Sequence, residues 1–193
     1  MSNKKPIVDK YLNEEELKKL ITSISDLTDK TLILFTLETG LRRSEVVAIQ
    51  TSNLDLESQT VQIFDFKKDE WRIAVYPKYI SSQIHMYLDA RASTSPLLFP
   101  FSSRTANRRL KRWCQYAGIR LQNNGESIVS FHWLRHTFIR RSKMAGRDIK
   151  VVQQNTGDTI ETILKYYRNL SLEDRVFEIE HKPILDISDH KAD

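Results

Sequence analysis

Apolar residues recur at helical spacing along most of the chain. Near the N-terminus, Asn13 followed by Glu16 has the form of a capping box and predicts a helix behind it. A second helix is predicted from about Asp29 to Thr39, and it should end at Gly40, because glycine readily adopts the left-handed conformation beyond a helix end. Ser44 is then predicted to cap a third helix.

The pattern changes in the middle of the chain from helical to strand-like. Val61–Phe66 and Trp71–Val75 are rich in β-branched and aromatic residues, and the polar tetrad Lys67–Glu70 lies between them. Two such runs around a short polar turn predict a β-hairpin.

Helical spacing returns after the hairpin and continues to about residue 167. The signals that bound the predicted helices are, in chain order, Pro77 before the first, Gly118 after the second, Ser130 and Gly146 around the third, and Asp148 and Gly157 around the fourth. Asp158 with Glu161 has the form of a second capping box, which predicts the start of a last helix. The sequence therefore predicts a mainly α fold with one small antiparallel β-sheet, an α+β arrangement.

Basic residues are concentrated in two of these predicted helices, in a chain with a net charge of +5 and a pI of about 9.3. Such helix faces are either simply solvated or bind a polyanion such as DNA. The residues predicted to contact DNA on the second reading are Arg104, Arg108, Arg109, Arg112, Arg140 and Arg141.

Several classes of protein and site are excluded or disfavoured. The single cysteine, Cys114, excludes an internal disulfide and a zinc site built from clustered cysteines. No apolar run approaches the roughly 20 residues needed to cross a bilayer, and Met1–Lys10 is too polar for a secretory signal. We therefore expect a cytoplasmic protein with one domain over residues 11–180, a tail over residues 1–10 and a second tail over residues 181–193.

Two short motifs lie far apart in the sequence. The first is Thr-Gly-Leu-Arg-Arg-Ser-Glu from Thr39 to Glu45, and the second is His-Trp-Leu-Arg-His from His132 to His136. Gly157-Asp158 and the pair Tyr166-Tyr167 follow them. A helix stop, a hydrogen-bonded pair on one helix face or tyrosines in a core would each explain one piece. The ordered set is far more specific than any single piece.

In this order the motifs resemble those of the tyrosine recombinase family, which includes the Xer proteins and lambda-type phage integrases. The resemblance extends from about Tyr11 to Phe177 and implies the fold of the family's catalytic domain. It also implies a site-specific recombinase or integrase, which cuts and rejoins double-stranded DNA through a covalent 3′-phosphotyrosine. The implied site residues are Arg42 from the first motif, Lys67 or Lys68 from the hairpin turn, His132 and Arg135 from the second motif, and a tyrosine from the last helix.

The chemistry of a phosphodiester explains why these residue types occur together. Arg42 and Arg135 would grip the non-bridging oxygens and stabilise the charge that builds up in the transition state. A tyrosine hydroxyl, whose pKa is about 10, needs a base or a positive field, which His132 and the arginines would supply. The resemblance assigns protonation of the departing 5′-oxygen to Lys67 or Lys68. Neither a metal nor any other cofactor is expected.

Three further residues are expected at or near this site. Glu45 would orient an arginine, and His136 extends the second motif. Asp158 stands where the family usually has a histidine or a tryptophan, and an ionised carboxylate cannot donate a hydrogen bond to a phosphate. We therefore expect Asp158 to cap the last helix with Glu161, which would leave the site one phosphate contact short.

Two adjacent tyrosines compete for the role of nucleophile, and they point about 100° apart on a helix. Tyr167 is favoured because Tyr167–Ser171 resembles the family's Tyr-x-His-Leu-Ser ending and its distance from Gly157-Asp158 requires no gap. Alignment on Glu161-Thr162 favours Tyr166 instead, at the expense of a one-residue deletion. Tyr166 is therefore kept as the alternative nucleophile.

Two other functions remain open from the sequence. One is a DNA-binding protein that keeps this fold without cutting, which Asp158 favours, and the other is a type IB topoisomerase-like relaxase with the same chemistry. The family implies a homo-oligomer, a tetramer on DNA, and the tail over residues 181–193 is a candidate for subunit contacts. Neither a membrane nor a small-molecule substrate is expected. Because no N-terminal DNA-clamping domain fits before Tyr11, we expect either an excised domain or a minimal protein.

Overall fold

The computed structural model describes residues 10–167 and Val176, and it has the predicted architecture of helices around one small antiparallel sheet. The helices are α1 (Glu14–Ser23), α2 (Leu27–Thr39), α3 (Arg43–Ala48), α4 (Lys78–Ala90), α5 (Ser103–Tyr116), α6 (Phe131–Met144), α7 (Ile149–Thr156) and α8 (Ile160–Tyr167). The strands are β1 (Leu54–Asp55), β2 (Thr60–Asp65) and β3 (Glu70–Val75), with a short 3-10 turn over Thr51–Asn53.

The sheet contains the predicted hairpin and one short strand, β1, that the sequence did not predict. Its order is β1-β2-β3, and the hairpin register pairs Ile63 with Arg72 and Asp65 with Glu70. Asp65 also shapes the turn, because its carboxylate accepts a hydrogen bond from the Lys67 N–H at 3.0 Å. The hairpin turn is therefore tied to the end of β2 by a side chain.

The predicted capping box at the start of α1 is confirmed, with hydrogen bonds in both directions between Asn13 and Glu16. Gly40 ends α2 with a φ of 67°, and its N–H donates to the Thr36 carbonyl at 2.9 Å. A Cβ at this position would also collide with the ring of Phe138 on α6. Glycine is thus required both by the helix end and by the close approach of α2 to α6.

Two predicted helix caps are wrong. Ser44 lies inside the first turn of α3, and Arg42 holds the cap position, where its backbone N–H donates to the Glu45 carboxylate at 2.7 Å. At the start of α8, Thr159 rather than Asp158 accepts the hydrogen bond from the Thr162 N–H, at 3.2 Å. Asp158 does not cap α8 because its carboxylate accepts hydrogen bonds from Arg42 and Arg135 instead.

The core is organised around α2, which packs against α4, α5 and α6. Leu32, Ile33 and Phe35 of this helix are completely buried. A second, smaller apolar cluster joins α6, α7 and α8 through Phe138, Ile139, Val152 and Ile163. The first sequence motif begins at the last residue of α2 and the second lies on α6, so this packing brings the two motifs together.

Candidate active site

The two motif arginines converge on one carboxylate. Arg42 lies at the start of α3 and Arg135 on α6, while Asp158 lies in the loop between α7 and α8. Arg42 Nη2 donates to Asp158 Oδ1 at 2.8 Å, and Arg135 Nε donates to Asp158 Oδ2 at 3.2 Å. Arg135 Nη2 also lies 2.6 Å from Asp158 Oδ2 as an ion pair. Two guanidiniums that share one anion form an anion-binding site.

Arg135 is almost completely buried, with 4% of its surface exposed. Backbone carbonyls fix its guanidinium: Nη1 donates to the Gly40 oxygen and Nη2 to the Thr156 oxygen, each at 2.8 Å. Burial lowers the pKa of Arg135, and the negative charge of Asp158 opposes that effect. An arginine remains charged under such conditions, so the site holds a fixed and partly desolvated positive charge.

Arg42 is held on its other side by two carboxylates. Its Nη1 donates to Glu45 Oε1 at 2.9 Å and to Asp65 Oδ2 at 3.1 Å. Burial lowers the pKa of Arg42, but Glu45 and then Asp158 and Asp65 raise it more, so that the net direction is upward. These contacts place Glu45 in the arginine-orienting position that the sequence predicted.

Arg72 is an additional member of this cluster that the sequence analysis missed. It donates to both oxygens of Glu45, at 3.1 and 3.0 Å, and to the carbonyl of Thr156 at 3.2 Å. A Cβ on Gly157 would lie 3.0 Å from both Arg72 Nε and Asp65 Oδ2, so the loop can approach the cluster this closely only at a glycine. Arg72 thereby connects the sheet, α3 and the loop that carries Asp158.

A sequence signal for Arg72 and Asp65 did exist. Val61 and Ile63 on β2, and Ala74 on β3, mark the inward face of the hairpin, and all are buried. Side chains alternate between the faces of a strand, so Asp65 and Arg72 occupy inward positions. A charged residue at an inward position of a hairpin indicates a buried ion pair.

Lys67 and Lys68 are exposed in the hairpin turn, as predicted. The Lys68 ammonium lies 3.6 Å from the Glu70 carboxylate. Within the described part of the chain, neither ammonium pairs with Glu45, Asp65 or Asp158, the carboxylates around the two arginines. The turn nevertheless follows directly on Asp65, which does contact Arg42, so the lysines are attached to the edge of the site.

The two histidines of the second motif lie one turn apart on α6, with ring centroids separated by 5.9 Å. Partial burial lowers the pKa of His132, and the positive charges of Arg135 and Arg43 lower it further. Burial, followed by the charge of His132, lowers the pKa of His136 to about 4, and its Nδ1 lies 3.0 Å from the Lys10 carbonyl oxygen. The lowered pKa favours the neutral form of His132 at pH 7, which is the form that can accept a proton. The residue is also exposed.

The predicted nucleophile lies at the end of the described stretch of residues 10–167. The backbones of Tyr166 and Tyr167 form the last turn of α8, but their side chains lie outside the described residues, as do residues 181–193. The helix itself is anchored to α6 and α7 by Ile163, which is completely buried. Helix α8, whose backbone includes both tyrosines, is thus packed against α6, the helix that carries His132 and Arg135.

The six residues predicted to contact DNA divide into two groups. Arg104 and Arg108 are exposed on α5. The other four have partners within the protein: Arg109 and Arg112 donate to Asp29, Arg140 stacks 3.9 Å from the centre of the Tyr11 ring, and Arg141 pairs with Glu14. Arg140 is also buried, which does not fit the expectation that it faces DNA.

The described residues contain neither a metal-binding cluster nor a membrane-spanning helix. No cluster of three or more histidine, cysteine, aspartate or glutamate side chains within them is arranged to hold a metal ion. No helix among them combines the length and the apolar character needed to cross a membrane.

Comparison with known proteins gives consistent relatives. The chain is 27% identical over 175 residues to tyrosine recombinase XerA of Thermococcus kodakarensis, covering 85% of this chain and 59% of that protein. It is 29% identical over 173 residues to XerA of Pyrococcus furiosus, covering 84% and 58% respectively. The chain thus spans about three fifths of the length of these curated relatives.

Solved structures share the fold. A crystal structure of XerA recombinase superposes with a TM-score of 0.76 at 27% identity, covering 91% of this chain and 66% of that one. The catalytic domain of bacteriophage HP1 integrase has a TM-score of 0.62 at 19% identity, covering 90% and 95%. The model of the phage integrase family matches residues 10–173. The chain therefore belongs to the phage integrase family.

Proposed function

We propose that this chain is the catalytic domain of a site-specific tyrosine recombinase, which cuts and rejoins double-stranded DNA through a covalent 3′-phosphotyrosine. The observation that carries this proposal is the convergence of Arg42 and Arg135 on one anion, although they lie 93 positions apart in the sequence. Xer recombinases are the relatives that cover most of the chain, which supports the same activity.

The arginines would bind the scissile phosphate. A guanidinium on each non-bridging oxygen neutralises the charge that repels a nucleophile and stabilises the additional charge of the transition state. Because Arg135 is fixed by two backbone carbonyls and Arg42 by two carboxylates, both are oriented before DNA arrives. Such preorganisation means that the two arginines do not have to reorient during the reaction.

The proposed reaction exchanges one phosphoester for another. The hydroxyl oxygen of Tyr167 forms a bond to phosphorus, the bond from phosphorus to the 5′-oxygen breaks, and the 3′ end remains on the tyrosine. His132, held neutral by burial and by neighbouring arginines, would accept the tyrosine proton. Lys67 or Lys68 would supply a proton to the 5′-oxygen. Because one ester is exchanged for another, rejoining requires neither ATP nor a metal ion.

The proposed partner is double-stranded DNA, engaged by a homo-oligomer. Among related structures, XerH is described as bound to its difH substrate and lambda integrase as a dimer bound to a core site. We extend this to a tetramer of the present protein on two duplexes, acting in the cytoplasm. Arg104 and Arg108, the exposed pair on α5, would contribute phosphate contacts outside the reacting centre.

A covalent trapping experiment tests the proposal. Duplexes of random sequence that carry a nick lose the short 5′-hydroxyl fragment after cleavage, so that the protein–DNA adduct accumulates. Peptide mass spectrometry should locate the adduct on Tyr167, and Tyr167→Phe should abolish it while DNA binding persists. An adduct on Tyr166 would move the nucleophile by one residue. DNA binding without any adduct would reject the enzyme in favour of a non-cutting DNA-binding protein.

A further inference from the structure

Asp158 occupies the position in the candidate site that a phosphate would need. Its Oδ1 accepts a hydrogen bond from Arg42 at 2.8 Å, and its Oδ2 accepts one from Arg135 Nε at 3.2 Å and forms an ion pair with Arg135 Nη2 at 2.6 Å. Each carboxylate oxygen thus meets one arginine, which is how the two non-bridging oxygens of a phosphodiester would be bound. A phosphate and this carboxylate cannot use the same donors at the same time.

Neither arginine depends on Asp158 for its position. Arg135 keeps its hydrogen bonds to the Gly40 and Thr156 carbonyls, and Arg42 keeps those to Glu45 and Asp65. If Asp158 served only to orient the arginines, it would repeat what these acceptors already do. What distinguishes Asp158 is that it bridges both guanidiniums on the side that is left for a ligand.

The balance of charge supports the same reading. The cluster combines three guanidiniums, of Arg42, Arg72 and Arg135, with three carboxylates, of Glu45, Asp65 and Asp158. Their formal charges cancel. A phosphodiester entering this cluster would meet no net positive charge and would be repelled by the carboxylate already between the arginines.

We propose that Asp158 is an internal anion that closes the phosphate site until a DNA duplex displaces it. The displacement would be a rotation of the Asp158 side chain, which belongs to the short loop between α7 and α8 and is 13% exposed. A duplex can offset the cost of that step through further contacts with exposed basic residues such as Arg104 and Arg108. A free phosphate has no such contacts, so the site selects a phosphate that is carried on a duplex.

The proposal rests on the proposed function for its DNA substrate, but its first test contains no DNA. Inorganic phosphate is titrated against the wild-type protein and Asp158→Asn, which removes the charge and keeps the shape. Because a like charge beside the ligand is removed, the variant should bind phosphate about tenfold more tightly or better. Adding Arg42→Ala to Asp158→Asn should abolish the gain. Equal or weaker binding by Asp158→Asn would overturn the proposal.

Two controls separate this effect from general charge and from unfolding. Glu15→Gln makes the same change in net charge on the exposed surface of α1, next to Lys19, and should bind phosphate as the wild type does. Asp158→His removes the same charge with a different shape and should show a similar gain. Phosphate should also raise the melting temperature of both Asp158 variants more than that of the wild type, a readout that works in a destabilised protein.

A second experiment connects the internal anion to DNA. With the nicked duplexes, Asp158→Asn should form the covalent adduct at lower DNA concentrations than the wild type. A gain in phosphate affinity without an adduct in any variant would support the internal anion and reject the recombinase. An adduct in the wild type with no gain in phosphate affinity would support the recombinase and overturn the internal anion. The two proposals can therefore fail separately.

Discussion

Around Asp29 and around Asp158, two arginines meet a single carboxylate, but the two arrangements are anchored from opposite sides. At Asp29 the carboxylate is completely buried, and Arg109 and Arg112 reach it from the surface at 2.8 Å each, with side chains 32% and 61% exposed. The indole N–H of Trp113 also donates to Asp29, at 2.7 Å. This carboxylate is the fixed member, and it holds α5 against α2.

At Asp158 the arginines are the fixed members. Arg135 is more deeply buried than the carboxylate it binds, with side chains 5% and 13% exposed. Both guanidiniums have additional acceptors that keep them in place. Two arginines on one carboxylate therefore form a structural link when the carboxylate is the fixed member, and a ligand site when the arginines are.

Covalent adduct formation should change most between variants of the two clusters. Arg42→Ala or Arg135→Ala should slow it by about 10²- to 10³-fold, because one donor to the transition-state charge is lost. Arg109→Ala, at the structural cluster, should leave the rate of the folded protein within about twofold of the wild type. Gel assays on the nicked duplexes give these rates. Equal losses at Arg135 and Arg109 would remove the distinction between the clusters.

The next effect is on the free energy of unfolding and should be larger at the Asp29 cluster than at the Asp158 cluster. Asp29→Asn leaves two guanidiniums without their buried partner and should lower the free energy of unfolding by about 2–3 kcal/mol. Asp158→Asn should cost less than half of that, since its arginines have other acceptors. Urea unfolding monitored by circular dichroism measures both values. A greater loss at Asp158 than at Asp29 would mean that the carboxylate anchors the active site.

A smaller effect separates the arginines of α5 from one another. Arg104→Ala and Arg108→Ala should each reduce the slope of log affinity against log salt concentration by about one, as expected for the loss of one phosphate contact. Arg109→Ala should leave this slope unchanged and lower the free energy of unfolding instead. Fluorescence anisotropy with a labelled duplex at several salt concentrations measures the slopes. Unchanged slopes for Arg104 and Arg108 would remove α5 from the proposed DNA surface.

The smallest effect depends on pH and concerns the active-site side of the molecule. The pKa of His136 is lowered to about 4 in the folded protein, whereas it is about 6.5 in an unfolded chain. Between these values the unfolded chain binds more protons, so stability is present above pH 6.5 and is lost as the pH falls towards 4. His136→Gln should lose less stability than the wild type between pH 6.5 and 5 in urea titrations. Parallel losses would contradict the assignment to His136.

Local patterns in the sequence predicted most of the fold. The capping box at Asn13, the helix end at Gly40 and the hairpin around Lys67–Glu70 are signals that act over a few residues, and the structure confirms them. The predicted cap at Asp158 was wrong because distant partners competed with the local one. Asp158 could cap α8 from within its own segment, but it bonds instead to Arg42, 116 residues away, and to Arg135, 23 residues away.

The sequence predicted only those residues of the candidate site that belong to a recognised motif. The ordered motifs identified Arg42, Arg135 and Glu45, which the structure brings together. Arg72 belongs to no motif that was considered, and it joins the site through contacts to Asn155 and Thr156, 83 and 84 residues away. The sequence around α5 did not predict that Arg109 and Arg112 would bind Asp29, because that pairing spans 80 residues or more.

The hydrogen bond between the Gly40 carbonyl and Arg135 determines the stage of folding at which the arginine pair forms. Gly40 binds Arg135, while Arg42 follows only two residues later, so the arginine pair exists only once α6 has docked on the end of α2. A nascent chain that ends after α5 contains Arg42 but has neither the second arginine nor the loop with Asp158. With the proposed function, the ability to cut DNA is thereby coupled to completed folding, and chains that end before α6 carry no assembled arginine pair.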